Sequence, residues 1–390
     1  MRDEGEVAWW RTTTVCDLPP IVDGKELHHL ASLLPALAEN GLQTLLVHLT
    51  ILQLTDGHLE LTAFIGKAHH LDLKVIVRVV ILDEDTPSPA TAFTPILKSE
   101  RGIHELSRAL HAALEAGADG IDLGSIDGRE EGEETDRVTT AIREALATVT
   151  LANENAVLTA DAAHLPHEQY VRYLTDEWFH HLRSDGLITA PWNTAALHTA
   201  ITRLCADHDS LGHALPWYYA DPCHKEPTWA AEGSAERWGA MTLFVASLPG
   251  AIYLPFLHVG GQEHSHPEGK VDAVSFAESP AQERIARLVK VALSVREDEN
   301  LGNGPLAFVT GLPWAGEVAS VHLVGTVMVA LNTGDDDIVV PREHCLLAAT
   351  DNAMLTPGGG TTLPPNSCAW FRAAEPTPLD PGNYPPPSHA

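Results

Sequence analysis

Two periodicities alternate along most of this chain. Short continuous apolar runs, the pattern of a strand covered on both faces, are followed by segments whose apolar residues recur every three or four positions, the pattern of a helix with one buried face. Residues 15–18 predict a first strand and 26–38 the helix after it, which Asn40 and Gly41 end. Residues 42–49 predict the second strand, 59–70 a helix, and the β-branched run 74–82 the third strand. The alternation continues with helices at 103–116, 135–148, 168–174, 194–206 and 235–247, and with strands at 120–123, 156–161, 177–182, 215–220 and 251–254. A last helix is predicted at 281–295. Eight such units predict an α/β fold, a (β/α)8 TIM barrel, over residues 1–304.

From Pro305 the pattern changes. Short alternating runs at 307–310, 319–323, 327–331, 338–340, 345–349 and 369–371, with turn residues between them, predict a C-terminal antiparallel β-sandwich over 305–373. Residues 374–390 are rich in proline and are expected to be a disordered tail.

A chain of 390 residues accommodates one large and one small domain. Its formal charge of −29 changes the picture more. So negative a surface disfavours nucleic acid and anionic membranes as partners. Cysteines 16, 205, 223, 345 and 368 form no CxxC pair and are odd in number, which suits free thiols in a reducing compartment. The opening MRDEGEVAWW lacks a signal-peptide pattern, and no apolar run reaches transmembrane length, so the expected location is cytoplasmic.

Several segments, in order, resemble the α-glucosidase and trehalose-synthase branch of the α-amylase family of glycoside hydrolases. WWRTTTVCDLPP is similar to the first strand of that branch, AHHLDLKVIVRVV to the third and ALEAGADGIDLGSID to the fourth. ENAVLTADAAH is similar to the fifth strand, ALPWYYADPCHKEPTW to the seventh, ASLPGAIYLPF to the eighth, and LPPNSCAWF to the last strand of the family's β-domain. The resemblance covers roughly residues 9–373. It implies a protein of carbohydrate metabolism whose ligand is an α-glucan or small glucoside, with no cofactor.

The departures bear on activity. A retaining glycosidase needs a carboxylate nucleophile and a carboxylic acid about 5–5.5 Å apart. The resemblance puts the nucleophile at Gly124, the acid/base at Asp161 and the third carboxylate at Cys223, preceded by Pro222. The Asn-His pair after the third strand becomes Leu82 and Asp83, and the lobe inserted there shrinks to 83–99. The expectation is a pseudoenzyme, a glycan-binding, regulatory or subunit-type relative. The alternative is an altered α-glucoside hydrolase or transglycosylase that uses Asp161 as general acid/base.

The family sets an aspartate on strand three against an arginine on strand four. Arg78 and Asp122 exchange those charges, which predicts a structural ion pair inside the barrel. A competing reading joins Asp122, Asp161 and Asp221 in one acidic cluster, since each has the strand parity of a mouth position. His180 and His181, read as the end of strand six, join Asp221 and His224 as candidate substrate-binding residues. Trp217, Tyr218 and Tyr219 offer stacking surfaces for a sugar, although aromatic residues on a strand also belong in a core. Cys223 and His224 are sequence neighbours without evidence of a thiolate pair. His258, His264 and His266 have no metal-site spacing, so no metal is expected.

Overall fold

In the computed structural model, residues 7–20, 25–56, 58–80, 100–126, 133–162, 165–220, 227–230, 235–259, 261–265, 271–276, 280–342 and 344–372 are described. The chain starts with a short 3-10 turn, Trp9–Arg11, and strand β1, Thr14–Asp17. Then follow α1 (Lys25–Glu39), β2 (Thr44–Thr50), α2 (Ile51–Asp56), α3 (His58–His69), β3 (Lys74–Val80), α4 (Glu100–Glu115) and β4 (Gly120–Ser125). Next come α5 (Glu133–Ala152), β5 (Val157–Asp161), α6 (His167–Thr175), β6 (His181–Arg183), α7 (Gly186–Thr189), α8 (Thr194–Asp209) and β7 (Pro216–Tyr218). Helix α9 (Ala235–Ala246), β8 (Ala251–Pro255), a hairpin of β9 (Gly261–Ser265) and β10 (Val271–Phe276), and α10 (Pro280–Asp298) complete this part.

Strands β1 to β8 form one parallel sheet in the order β6-β5-β4-β3-β2-β1-β8-β7. Strands β6 and β7 lie beside one another and bring the two ends of the sheet together, although no ladder pairs them among the described residues. This is the predicted TIM barrel. The apolar periodicity explains it. On α1, Leu27, Leu30, Leu34 and Leu37 fall on one buried face that packs on the strands. Outward residues of the strands, such as Leu45, Val47, Val75 and Val77, join that shell. Inward residues build a separate cluster of Val15, Leu46, Ile76, Val157, Tyr218 and Tyr253. Gly120 completes this layer because there is no room for more. A Cβ there would stand 2.8 Å from the Val157 carbonyl oxygen on the neighbouring strand.

Beyond α10, β11 (Leu306–Phe308), β12 (Ala319–Val324), β13 (Val327–Asn332), β14 (Ile338–Val340), β15 (Cys345–Ala349), β16 (Met354–Leu355), β17 (Thr361–Leu363) and β18 (Ser367–Arg372) form two antiparallel sheets. Their orders are β11-β12-β13-β18-β15 and β14-β17-β16. Strict alternation decides the packing. Met328, Ala330, Ala369 and Phe371 meet Ile338, Val340 and Leu363 of the smaller sheet, while Val329, Leu331, Cys368 and Trp370 join the barrel's helical shell. The indole of Trp370 donates to the Leu243 carbonyl on α9 at 3.2 Å. The sandwich is therefore held to the barrel by a buried, largely apolar face.

The structure departs from the pattern-based expectation in particular places. The apolar run predicts strand six at 177–182, but the strand forms at His181–Arg183. Glu177 adopts a left-handed φ of 55°, and the Trp178 and Phe179 side chains pack back on Tyr173, so the turn persists further than the apolar run suggests. The hairpin β9–β10 adds two antiparallel strands after β8 that the eight-unit alternation does not predict. The shortened lobe at 83–99 and the tail at 374–390 lie outside the described residues. No described helix is long and apolar enough to cross a membrane.

Candidate functional site: the upper layer of the barrel

Active sites of TIM barrels lie at the carboxyl ends of the strands. One layer above the apolar interior cluster, parity turns Asp17 of β1, His48 of β2, Arg78 of β3, Asp122 of β4, Asp161 of β5 and Arg183 of β6 toward the barrel axis. All six are at least nine-tenths buried. Burying so many ionisable groups is costly unless they satisfy one another.

Asp122 is the centre of this layer. Its Oδ1 accepts from Arg78 Nε at 2.6 Å and from the Gly124 backbone N–H at 2.8 Å. Its Oδ2 accepts from Arg183 Nη1 at 2.6 Å and from Thr159 Oγ1 at 2.6 Å. Four donors therefore occupy the roughly four lone-pair positions of the carboxylate. Burial opposes ionisation of Asp122, but the charges of Arg183 and Arg78 and the hydrogen bonds from Arg183 and Thr159 outweigh it. The carboxyl is held well below the usual range. For Arg183, burial likewise opposes the charged form, and the neighbouring Asp122 carboxylate more than restores it. The Arg183 guanidinium also lies over the rings of Tyr253 and Tyr218, at 4.7 and 5.4 Å.

Beside this triad, Asp17 Oδ1 lies 2.6 Å from His48 Nε2, and both side chains are buried. Asp161 is in register with Arg183 across β5 and β6 and contributes to the field that keeps that guanidinium protonated. Gly124 has φ 69°, a left-handed conformation that side chains resist, at the point where the family resemblance expects a nucleophile.

The other expected site residues do not gather here. His180 precedes strand six and His181 opens it, so His181 lies two residues below Arg183, in register with Thr159 of β5. His181 shares hydrogen bonds with the Tyr253 hydroxyl and the Trp10 carbonyl, both at 2.8 Å, and His180 packs edge-on against Trp10. Burial lowers His181 to about 3, partly offset by the bond to Trp10, so it is a neutral element of the barrel interior. The late start of β6 thus sets this pair at the beginning of the strand, with His181 engaged by Tyr253 and Trp10. Trp217, Tyr218 and Tyr219 are fully buried; Trp217 donates to the Pro249 carbonyl and Tyr219 bonds Thr242, so none offers a sugar an open face. Asp221, Cys223 and His224 lie outside the described residues. Arg183 is the member that pattern reading overlooks. Its signal is slight, a lone arginine closing the short run HLR. Among the described residues no group of three metal-ligating side chains assembles.

A parallel eight-stranded barrel whose ends meet at β6 and β7, followed by a C-terminal β-sandwich, defines the class as a (β/α)8 fold with an appended β-domain. Solved structures with this fold include a protein from Thermus thermophilus, with TM-score 0.64 and 14% identity over 94% of this chain and 100% of that one. The Nostoc punctiforme debranching enzyme matches with TM-score 0.64 and 12% identity, covering 89% of each chain. A noncanonic maltogenic α-amylase from Thermotoga neapolitana matches with TM-score 0.59 and 13% identity, over 94% of this chain and 97% of that one. The sequence matches no protein-family model and no curated protein.

Proposed function

We propose that this chain is an α-amylase-family protein of carbohydrate metabolism that does not run retaining glycoside hydrolysis. It acts as a glycan-binding, regulatory or subunit-type relative, with an α-glucan or small glucoside as ligand. The observation that supports this reading is the end of β4. Gly124 has no side chain to form a glycosyl ester, and Asp122, the nearest carboxylate on that strand, already accepts from four donors. A nucleophilic carboxylate needs a free lone pair directed at the anomeric carbon. A general acid needs a proton near working pH, whereas Asp122 is held ionised by two arginines. Among the described residues, Asp161 stands at the position the resemblance gives to the acid/base, with no second carboxylate at the end of β4 to serve as nucleophile, and one carboxylate does not complete a double displacement.

The deciding experiment measures turnover of maltose and aryl α-glucosides by the purified chain. No turnover above the uncatalysed rate is expected. Turnover in the ordinary enzyme range of ~1–10³ s⁻¹, abolished by Asp161→Asn, overturns this reading in favour of an altered hydrolase.

A further inference from the structure

At the end of the barrel opposite the mouth, a cleft of about 440 Å³ separates the strand starts from the C-terminal sheet. That volume falls in the range of small-molecule sites. Its walls come from the residues before β1, the outer side of α8, the turns before β7 and β8, and the glycine-rich connection into β11. Phe308 lines it half-buried. The ring packs at a tilt of 38° against His198, centroids 3.9 Å apart, and edge-on to His322.

The polar groups around the ring are of two kinds. Arg11 is held by the face of Trp10 at 4.9 Å and directs Nη1 and Nη2 at one carbonyl oxygen, that of Gly212, at 3.3 and 3.4 Å. Further guanidinium N–H groups remain for a ligand, since arginine carries five donors. Asp209, across the cleft on α8, forms no ion pair among the described residues and is purely an acceptor. His213 is engaged elsewhere, its Nε2 2.8 Å from the Leu174 carbonyl. Thr12, Thr202 and Asn303 add neutral hydroxyl and amide groups. Burial raises the Cys205 thiol to about 12, assisted by Asp209, so it offers no thiolate chemistry.

We infer that this cleft is a binding site for a neutral polyhydroxylated ligand, an α-glucoside of one to three units. One guanidinium and one carboxylate cancel, so the lining selects neither an anion nor a cation. A hydroxyl both donates and accepts, and is satisfied by a charged donor on one side and a charged acceptor on the other. The C–H face of a pyranose ring would pack against the exposed part of Phe308. The platform and the guanidinium are each clamped by a second aromatic ring, so little ordering entropy is spent on binding. The choice of an α-glucoside among polyhydroxylated ligands rests on the carbohydrate reading above, while the site is separate from the upper layer of the barrel and does not depend on whether the mouth is catalytic.

Titration of the full chain with maltotriose, followed calorimetrically and by protein NMR, tests this. Phe308→Ala and Asp209→Asn should each weaken binding by about tenfold or more, while Phe308→Trp retains it and circular dichroism shows every variant folded. Binding unchanged in both Phe308→Ala and Asp209→Asn, or lost only in Asp161→Asn, would place the sugar elsewhere and overturn the inference. So would no maltotriose binding at millimolar concentration, or tighter binding of glucose 6-phosphate than of glucose.

Discussion

Arg183 Nη1 lies 2.6 Å from Asp122 Oδ2, joining β6 to β4 across the top of the barrel with β5 between them. With Arg78 on the other carboxylate oxygen, one aspartate ties three strands. Asp122 is thus the hub of an Arg–Asp–Arg triad instead of half of an isolated pair.

This arrangement predicts how the triad fails. Asp122→Leu leaves two buried guanidinium groups facing each other, and should lower stability by about 3–5 kcal/mol. Replacing Arg78, Asp122 and Arg183 together with apolar residues of similar volume should cost far less, because no charge is stranded. Urea denaturation of the single, double and triple variants measures the coupling. Additive single effects would show that the three groups act independently.

Stability should fall with acid in two stages. His181 and His322 are both lowered by burial to about 3, from an ordinary value of 6.5. They are neutral when folded, while the unfolded chain takes up protons below about 6.5. Stability is therefore lost progressively as pH drops from that value. Asp122 acts later. Its folded pKa is depressed, so its contribution is complete above the unfolded carboxyl value of about 3.9 and is lost below it. Thermal melts of His322→Gln from pH 7 to 4 should show a shallower first stage than the parent chain.

Restoring a carboxylate at the expected nucleophile position should not restore a hydrolase. Gly124→Asp must place an aspartate at φ 69° and should cost about 1–2 kcal/mol for the left-handed backbone. Assays of this variant on aryl α-glucosides should detect no turnover. Gly124→Ala should lose comparable stability, which separates backbone strain from added charge.

The docking of the sandwich on the barrel should depend on Trp370. It is fully buried against the helical shell and hydrogen-bonded to the backbone of α9. Trp370→Ala should destabilise the chain by about 3–5 kcal/mol. Scanning calorimetry should show a lower melting temperature, and limited proteolysis should cut earlier between α10 and β11.

Much of the architecture was legible in the order of amino acids. Burial imposes period two on a strand and three to four on a helix, so runs such as Lys74–Val80 and the leucines of α1 announce their elements without any knowledge of neighbours. The parity that turns Arg78 and Asp122 inward is local for the same reason, as is the absence of a side chain at Gly124. Tertiary structure alone decided which charges meet. Arg183 is 61 residues from Asp122, and only barrel closure and the short β6 bring its guanidinium to that carboxylate. The same late strand start set His181 at the beginning of β6 and Arg183 at its end, because a shift of a few residues along a strand changes the level a side chain occupies. The cleft beside Phe308 was likewise invisible in sequence, since its walls come from separate segments that converge only when the sandwich packs on the barrel.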